Sequence, residues 1–170
     1  LAEQNQQNQA EALAWALAAE SRAAARGQAF AQKAEQEGLS GWARLLRALA
    51  EAQAVHARRY LLLLRGKIGA TADNLRQAFV EESQARAAEY ERLAGEARQA
   101  GEKTLAMALT QAVQVERCYA ELYAQAGGGA NGPETGSYAV CQVCGYIAAD
   151  RPPARCPVCS AVPEKFKGVE

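Results

Sequence analysis

Apolar residues recur three and four positions apart through residues 6–125, as at Leu13/Leu17, Leu45/Leu49 and Leu105/Leu109. That spacing returns to one face of an α-helix at every turn and gives each helix a stripe to bury. No proline interrupts this stretch, and its glycines sit mostly where helices end. The punctuation predicts four helices. The first covers about 6–37 and stops at Gly38. The second covers about 41–65, with Ser40 as N-cap and Gly66 past its end. The third opens at Thr71-Ala-Asp-Asn74 and reaches about residue 100, before Gly101, and the fourth covers about 102–125. Short turns make helices one and two, and helices three and four, antiparallel hairpins, with Gly66–Ala70 joining the hairpins. Ala126-Gly-Gly-Gly-Ala-Asn-Gly-Pro-Glu-Thr-Gly136 then has the composition of a flexible linker. The expected organisation is a helical domain over 1–126, a linker over 127–136 and a small domain over 137–170.

Composition narrows this picture. The chain is 49% hydrophobic but only 6% aromatic, much of the apolar content being alanine, which suits closely packed helices. Lys+Arg and Asp+Glu balance at 19 each, and no basic block carries interleaved aromatics, so nucleic acid is not an expected partner. The uninterrupted apolar stretch Ala12–Ala19 is too short to span a bilayer, and no charged leader with a small-residue cleavage site accompanies it, so no membrane partner is expected. With four of five cysteines explained by metal, a reducing cytoplasm is the expected compartment.

Those four cysteines form two pairs, Cys141-Gln-Val-Cys144-Gly145-Tyr146 and Cys156-Pro157-Val158-Cys159. A two-residue gap lets both thiolates of a tight turn reach one metal, and two such turns make a tetrahedral four-thiolate site. Gly145 suits a knuckle whose backbone must turn at positive φ. Zinc favours the same geometry, so the spacing alone also admits a structural zinc ribbon. Cys118, outside the quartet, reads as a small core residue. Trp15, Trp42 and the remaining tyrosines are expected to pack helices, and the Glu/Arg pairs to form a solvated face.

The helices carry a second polar constellation. Glu20 falls on the apolar face of the first helix, and at equal distance from the hairpin turn it should face His56, with Gln53 one turn away. The second hairpin repeats the arrangement with Glu82, Glu116 and Tyr119. The intervals agree closely: 53−20 is 33 and 116−82 is 34, while 56−20 is 36 and 119−82 is 37. The hairpins therefore read as an internal duplication sharing a polar layer. Carboxylates and a His at one level of a four-helix bundle are what a carboxylate-bridged di-iron site requires. Glu20, Glu82 and Glu116 can equally form a metal-free hydrogen-bonded network with His56, Gln53 and Tyr119.

With these motifs the sequence resembles the rubrerythrin family. The likeness rests on Ala19-Glu20-Ser21, Ala50-Glu51-Ala52-Gln53-Ala54-Val55-His56-Ala57, Asn74-Leu75, Glu81-Glu82, Val115-Glu116-Arg117 and the CxxCGY/CPxC tail. It implies a mainly α fold, a ferritin-like four-helix bundle followed by a small rubredoxin-like metal-knuckle domain. It implies one iron on Cys141, Cys144, Cys156 and Cys159, and non-haem iron in the bundle on Glu20, His56, Glu82 and Glu116. By the same resemblance Gln53 occupies the place of a bridging Glu, Ala85 that of a second carboxylate and Tyr119 that of a second His. Gln53 and Tyr119 are then weak contacts. A single bundle metal on Glu20, His56 and Glu116, completed by Gln53 or water, suits the reduced donor set better than two. The resemblance also implies a head-to-tail homodimer, a redox partner supplying electrons, and transfer from the four-cysteine iron to the bundle metal, which in the family reduces hydrogen peroxide. An electron carrier or iron-binding protein with a degenerate, non-catalytic bundle site, and a zinc-ribbon interaction protein on a helical scaffold, are the competing readings.

Overall fold

A computed structural model describes residues 2–64, 68–125 and 136–169 of the chain. Gly66 and the expected linker, apart from Gly136, lie outside the described residues. The chain forms two compact units, residues 1–69 and 70–170.

The first unit is a hairpin of α1 (Ala2–Gln36) and α2 (Ser40–Leu63). Its turn is closed by Gly38 at φ +75, a conformation that L side chains rarely adopt. The Gly38 amide donates to the Glu35 carbonyl and the Leu39 amide to the Ala34 carbonyl, at 3.0 and 2.8 Å, which satisfies the last carbonyls of α1. This closure carries the chain directly into α2. Ser40 is the first helical residue, and Leu39 takes the cap position without a side-chain hydrogen bond, so the expected Ser40 cap is not made.

The seam of this hairpin is built from small residues. Ala43, Ala50 and Ala57, each seven positions apart, are buried along α2, and Ala31 and Ala34 are buried on α1. A Cβ added at Gly27 would lie 2.9 Å from the Ala50 Cβ, so this glycine sets how closely the helices approach. The larger apolar side chains lie off the seam. Leu45 and Leu49 are exposed, and Trp15 and Trp42, expected to pack helices, are 70% and 64% exposed. Helices brought together on alanine leave no room between them for an indole.

The second unit begins with a continuous helical run that contains an irregularity. The segments are α3 (Thr71–Arg76), a π turn (Gln77–Glu81) and α4 (Glu82–Gln99). The Glu82 amide reaches back five residues to the Gln77 carbonyl, so the turn accommodates one residue more than α geometry allows. A tight turn leads into α5 (Lys103–Gln125). Gly101 at φ +77 repeats the closure at Gly38, with its amide on the Arg98 carbonyl and the Glu102 amide on the Ala97 carbonyl. Ala94, Ala97, Ala106 and Val113 form the apolar interior.

The matching glycines give a common origin for both hairpins. Gln53 and Glu116 each lie 15 residues beyond their glycine (53−38 and 116−101), and His56 and Tyr119 each lie 18 beyond. On the other arm, Glu20 precedes Gly38 by 18, but Glu82 precedes Gly101 by 19. The residue 18 before Gly101 is Ser83, which is buried, while Glu82 is the first residue of α4, directly after the π turn. The π turn lies outside the interval from Glu82 to Glu116, so 34 against 33 records only that Glu82 stands one position out of step with Glu20.

The same unit contains a three-stranded antiparallel sheet of β1 (Tyr138–Cys141), β2 (Ile147–Ala149) and β3 (Phe166–Val169), in the order β2-β1-β3. Val140 pairs with Ile147 and Lys167, and Cys141 with Phe166, so the first cysteine is fixed at the end of the central strand. A 3₁₀ turn over Pro163–Lys165 leads into β3.

Candidate metal centre

The two cysteine turns are near copies of each other. In the first, the Gly145 amide donates to the Cys141 carbonyl and the Cys141 amide to the Tyr146 carbonyl, both at 2.9 Å. In the second, the Ser160 amide donates to the Cys156 carbonyl and the Cys156 amide to the Ala161 carbonyl, again at 2.9 Å. The residue after each second cysteine takes positive φ, +86 at Gly145 as its motif predicts and +62 at Ser160. Ser160 gave no such signal, because serine is an uncommon occupant of that conformation.

The four Sγ atoms lie within 4.8 Å of one another. Cys141 Sγ is 3.6 Å from Cys159 Sγ, and Cys144 Sγ is 3.5 Å from Cys156 Sγ. Four thiolates held about 2.3 Å from one metal in a tetrahedron stand ~3.8 Å apart, so the quartet fits a metal, whereas a disulfide needs ~2.05 Å. Cys141 and Cys156 are buried, and Cys144 and Cys159 are partly exposed. Burial alone would raise the Cys141 thiol, but the amides of Cys144 and Val143 donate to it and bring it down to about 7. The Tyr146 amide donates to Cys144 and the Ala161 amide to Cys159, although burial keeps both thiols above their ordinary value. Amides aimed at sulfur stabilise a thiolate and its metal complex, and soften the redox change of an iron held there. Cys118 stands outside the cluster, and burial pushes its thiol up.

In α1–α2, Glu20 and His56 face each other as their spacing predicts, with His56 Nδ1 3.4 Å from Glu20 Oε1. Gln53 Oε1 is buried and has no hydrogen-bond partner among the described residues. Gln53 lies one turn before His56 on α2, and a carboxylate, an imidazole and a free amide oxygen are donor types that fit a divalent metal.

The α4–α5 hairpin differs. Arg86 Nε is 2.8 Å from Glu116 Oε1 and Arg86 Nη2 is 3.2 Å from Glu116 Oε2, a two-pronged pair on a buried carboxylate. Arg86 Nη1 also binds Glu82 Oε2 at 3.0 Å. The Glu116 hydrogen bond holds the guanidinium above its ordinary pKa. Tyr119 faces elsewhere: its hydroxyl donates to the Gly145 carbonyl at 3.0 Å, beside Cys144, and its ring meets Phe79 edge-on. Burial, and then the charge of Glu116, push the Tyr119 phenol up, which opposes the phenolate a metal would need.

The family model for the rubrerythrin rubredoxin-like domain matches residues 140–167, and the rubrerythrin model matches residues 11–72. A curated rubrerythrin from Porphyromonas gingivalis is 32% identical over 166 residues, covering 87% of this chain and 83% of its own. The chain belongs to the rubrerythrin family. Solved structures of nigerythrin in its mixed-valence and fully reduced, all-ferrous states are 26% and 25% identical. Each has a TM-score of 0.51 and covers 95% of this chain and 86% of its own. This member of the rubrerythrin family is mainly helical with a terminal four-cysteine knuckle, and its kinship and quartet make it a non-haem iron redox protein. Among the described residues, no helix is long and apolar enough to cross a membrane.

Sequence reasoning missed Arg86. Its signal was present as an i, i+4 pair with Glu82 beside Ala85, but such pairs normally mark a solvated surface. The partner that makes it different, Glu116, is 30 residues away.

Proposed function

We propose that this rubrerythrin-family chain is a one-electron carrier whose iron is held by Cys141, Cys144, Cys156 and Cys159. Iron on four thiolates supplies exchange of a single electron between the ferric and ferrous states. The observation that carries this reading is the sulfur cluster, with spacing suited to one tetrahedral metal and peptide amides directed at its sulfurs. The partly exposed Cys144 and Cys159 offer the edge at which a redox partner exchanges electrons. By kinship the working form is a head-to-tail homodimer in the cytoplasm.

A second reading adds reduction of hydrogen peroxide at a metal held by Glu20, Gln53 and His56. It is favoured by the orphaned Gln53 oxygen beside the Glu20–His56 pair. Peroxide takes two electrons and two protons to give two waters, so it must draw twice on a one-electron centre.

Anaerobic metal analysis and peroxide mixing test both. The carrier reading expects one iron per chain in the cysteine site, reversible bleaching of its thiolate colour by dithionite, and peroxide re-oxidation unchanged by Glu20→Gln or His56→Ala. Slower re-oxidation in those variants, with a second metal lost, would establish the second reading. Colourless protein holding one zinc would sink both.

A further inference from the structure

The donors of α4–α5 do not fit a metal, and that misfit follows from a side chain in their midst. We propose that Arg86 is the resident cation of this hairpin, and that Glu82 and Glu116 are its counter-ions and not metal ligands. Each of their four carboxylate oxygens already accepts a hydrogen bond. Glu116 Oε1 and Oε2 accept from Arg86 Nε and Nη2, Glu82 Oε2 from Arg86 Nη1, and Glu82 Oε1 from Gln77 Nε2 at 3.0 Å. Arg86 Nη2 further reaches the Ser83 hydroxyl at 3.4 Å, so the fork is engaged on every nitrogen.

A guanidinium is a suitable occupant. It stays charged at any pH a protein survives, and its planar fork matches a carboxylate in two parallel bonds. A metal entering between Glu82 and Glu116 would place two positive groups together and strip hydrogen bonds from a buried carboxylate. Among the described residues, no further His, Cys, Asp or Glu joins Glu82 and Glu116 in a cluster that could hold a metal. Position 85 is Ala, and the Tyr119 hydroxyl is committed to the Gly145 carbonyl. The π turn contributes too, since its five-residue span sets Gln77 beside Glu82, while Arg86 stands one ordinary α-turn on. The two hairpins have therefore diverged. One keeps an unsatisfied oxygen one turn from a Glu–His pair, while the other answers two carboxylates with one guanidinium and has a hydrogen bond on every carboxylate oxygen.

The test is titration of the full chain with Mn(II), read by loss of the free-ion paramagnetic resonance signal, with the cysteine site first filled with zinc. Glu82→Gln and Glu116→Gln are expected to leave Mn(II) uptake at the wild-type level, as is Arg86→Lys. Arg86→Ala exposes two carboxylates without a counter-ion and is expected to tighten Mn(II) binding about tenfold or more, a gain abolished by adding Glu116→Gln. A loss of wild-type Mn(II) affinity in Glu116→Gln or Glu82→Gln would overturn the proposal, as would no gain in folded Arg86→Ala. If Arg86→Ala does not fold, the two Glu→Gln variants and Arg86→Lys still decide between counter-ion and ligand.

Discussion

Gly27 offers a sharp test of the alanine seam, because two known effects of Gly→Ala oppose each other there. In a free helix interior the substitution stabilises by about 0.5–1 kcal/mol through lost chain entropy. Here the new methyl would lie 2.9 Å from the Ala50 Cβ, 3.3 Å from its Cα and 3.5 Å from the Leu46 carbonyl oxygen. Ordinary carbon contacts are ~3.5–4.0 Å, and neither Ala50 nor a backbone atom can rotate aside, so α1 and α2 must part by roughly 0.6–1 Å. Overpacking of that kind costs about 1–3 kcal/mol, leaving a net loss of up to ~2.5 kcal/mol and centred near ~1 kcal/mol. For a chain of this length a loss of ~1 kcal/mol is a fall of roughly 2–4 °C in melting temperature, followed by far-UV circular dichroism. Adding Ala50→Gly should return much of the loss. Separation of the helices also draws Glu20 away from His56, about two turns further along the seam. A Gly27→Ala protein more stable than wild type would show that the seam does not set helix spacing.

Removing metal from the cysteine site should melt residues 137–169 while the helices persist, since its buried core is little more than Ala139, Cys141, Ala148 and Cys156; amide exchange in β1–β3 reports it. Burial holds Cys144 and Cys159 above their ordinary value, so at pH 7 both enter the metal-free protein as thiols. Cobalt uptake must then release protons, and affinity must fall as pH drops; calorimetry in buffers of different ionisation enthalpy measures this, and uptake without proton release would contradict it. Tyr119→Phe removes the hydroxyl from the Gly145 carbonyl, worth ~1 kcal/mol, and should loosen the cysteine turn from α5 about fivefold; nitrogen relaxation should then show faster tumbling of residues 137–169. Ser160→Gly relieves a positive-φ strain of ~1–2 kcal/mol against an entropy cost of ~0.5–1 kcal/mol, so chelator-driven metal loss should be slightly slower and never faster.

Much of this was legible in the chain, for reasons that differ by element. Gly38 and Gly101 mark helix ends because only a residue without Cβ turns there cheaply, and counting outward from them pairs Glu20 with His56. The cysteine turns were legible because ligand spacing is a property of local backbone. The alanine seam was harder: leucine periodicity indicates an apolar face, but the closest approach is set by Gly27 and Ala50, which carry little hydrophobic signal. The π turn left no trace in the counted intervals, because it lies before Glu82 and shows only in the hydrogen bonds across Gln77–Glu82. Arg86 was least legible, since its role depends on a carboxylate brought beside it by the second hairpin's fold.

The π turn also bears on how such a chain can change over generations. It adds a single residue, and therefore a single codon, without disturbing the Gly101 closure or the heights of Glu116 and Tyr119. One insertion of that size turns the preceding segment, Thr71–Arg76, by about 100° relative to α4 and so exchanges which of its side chains share a face with those of α4. A duplicated hairpin can in this way acquire a different chemistry from its twin in one mutational step, while its turn and seam remain intact.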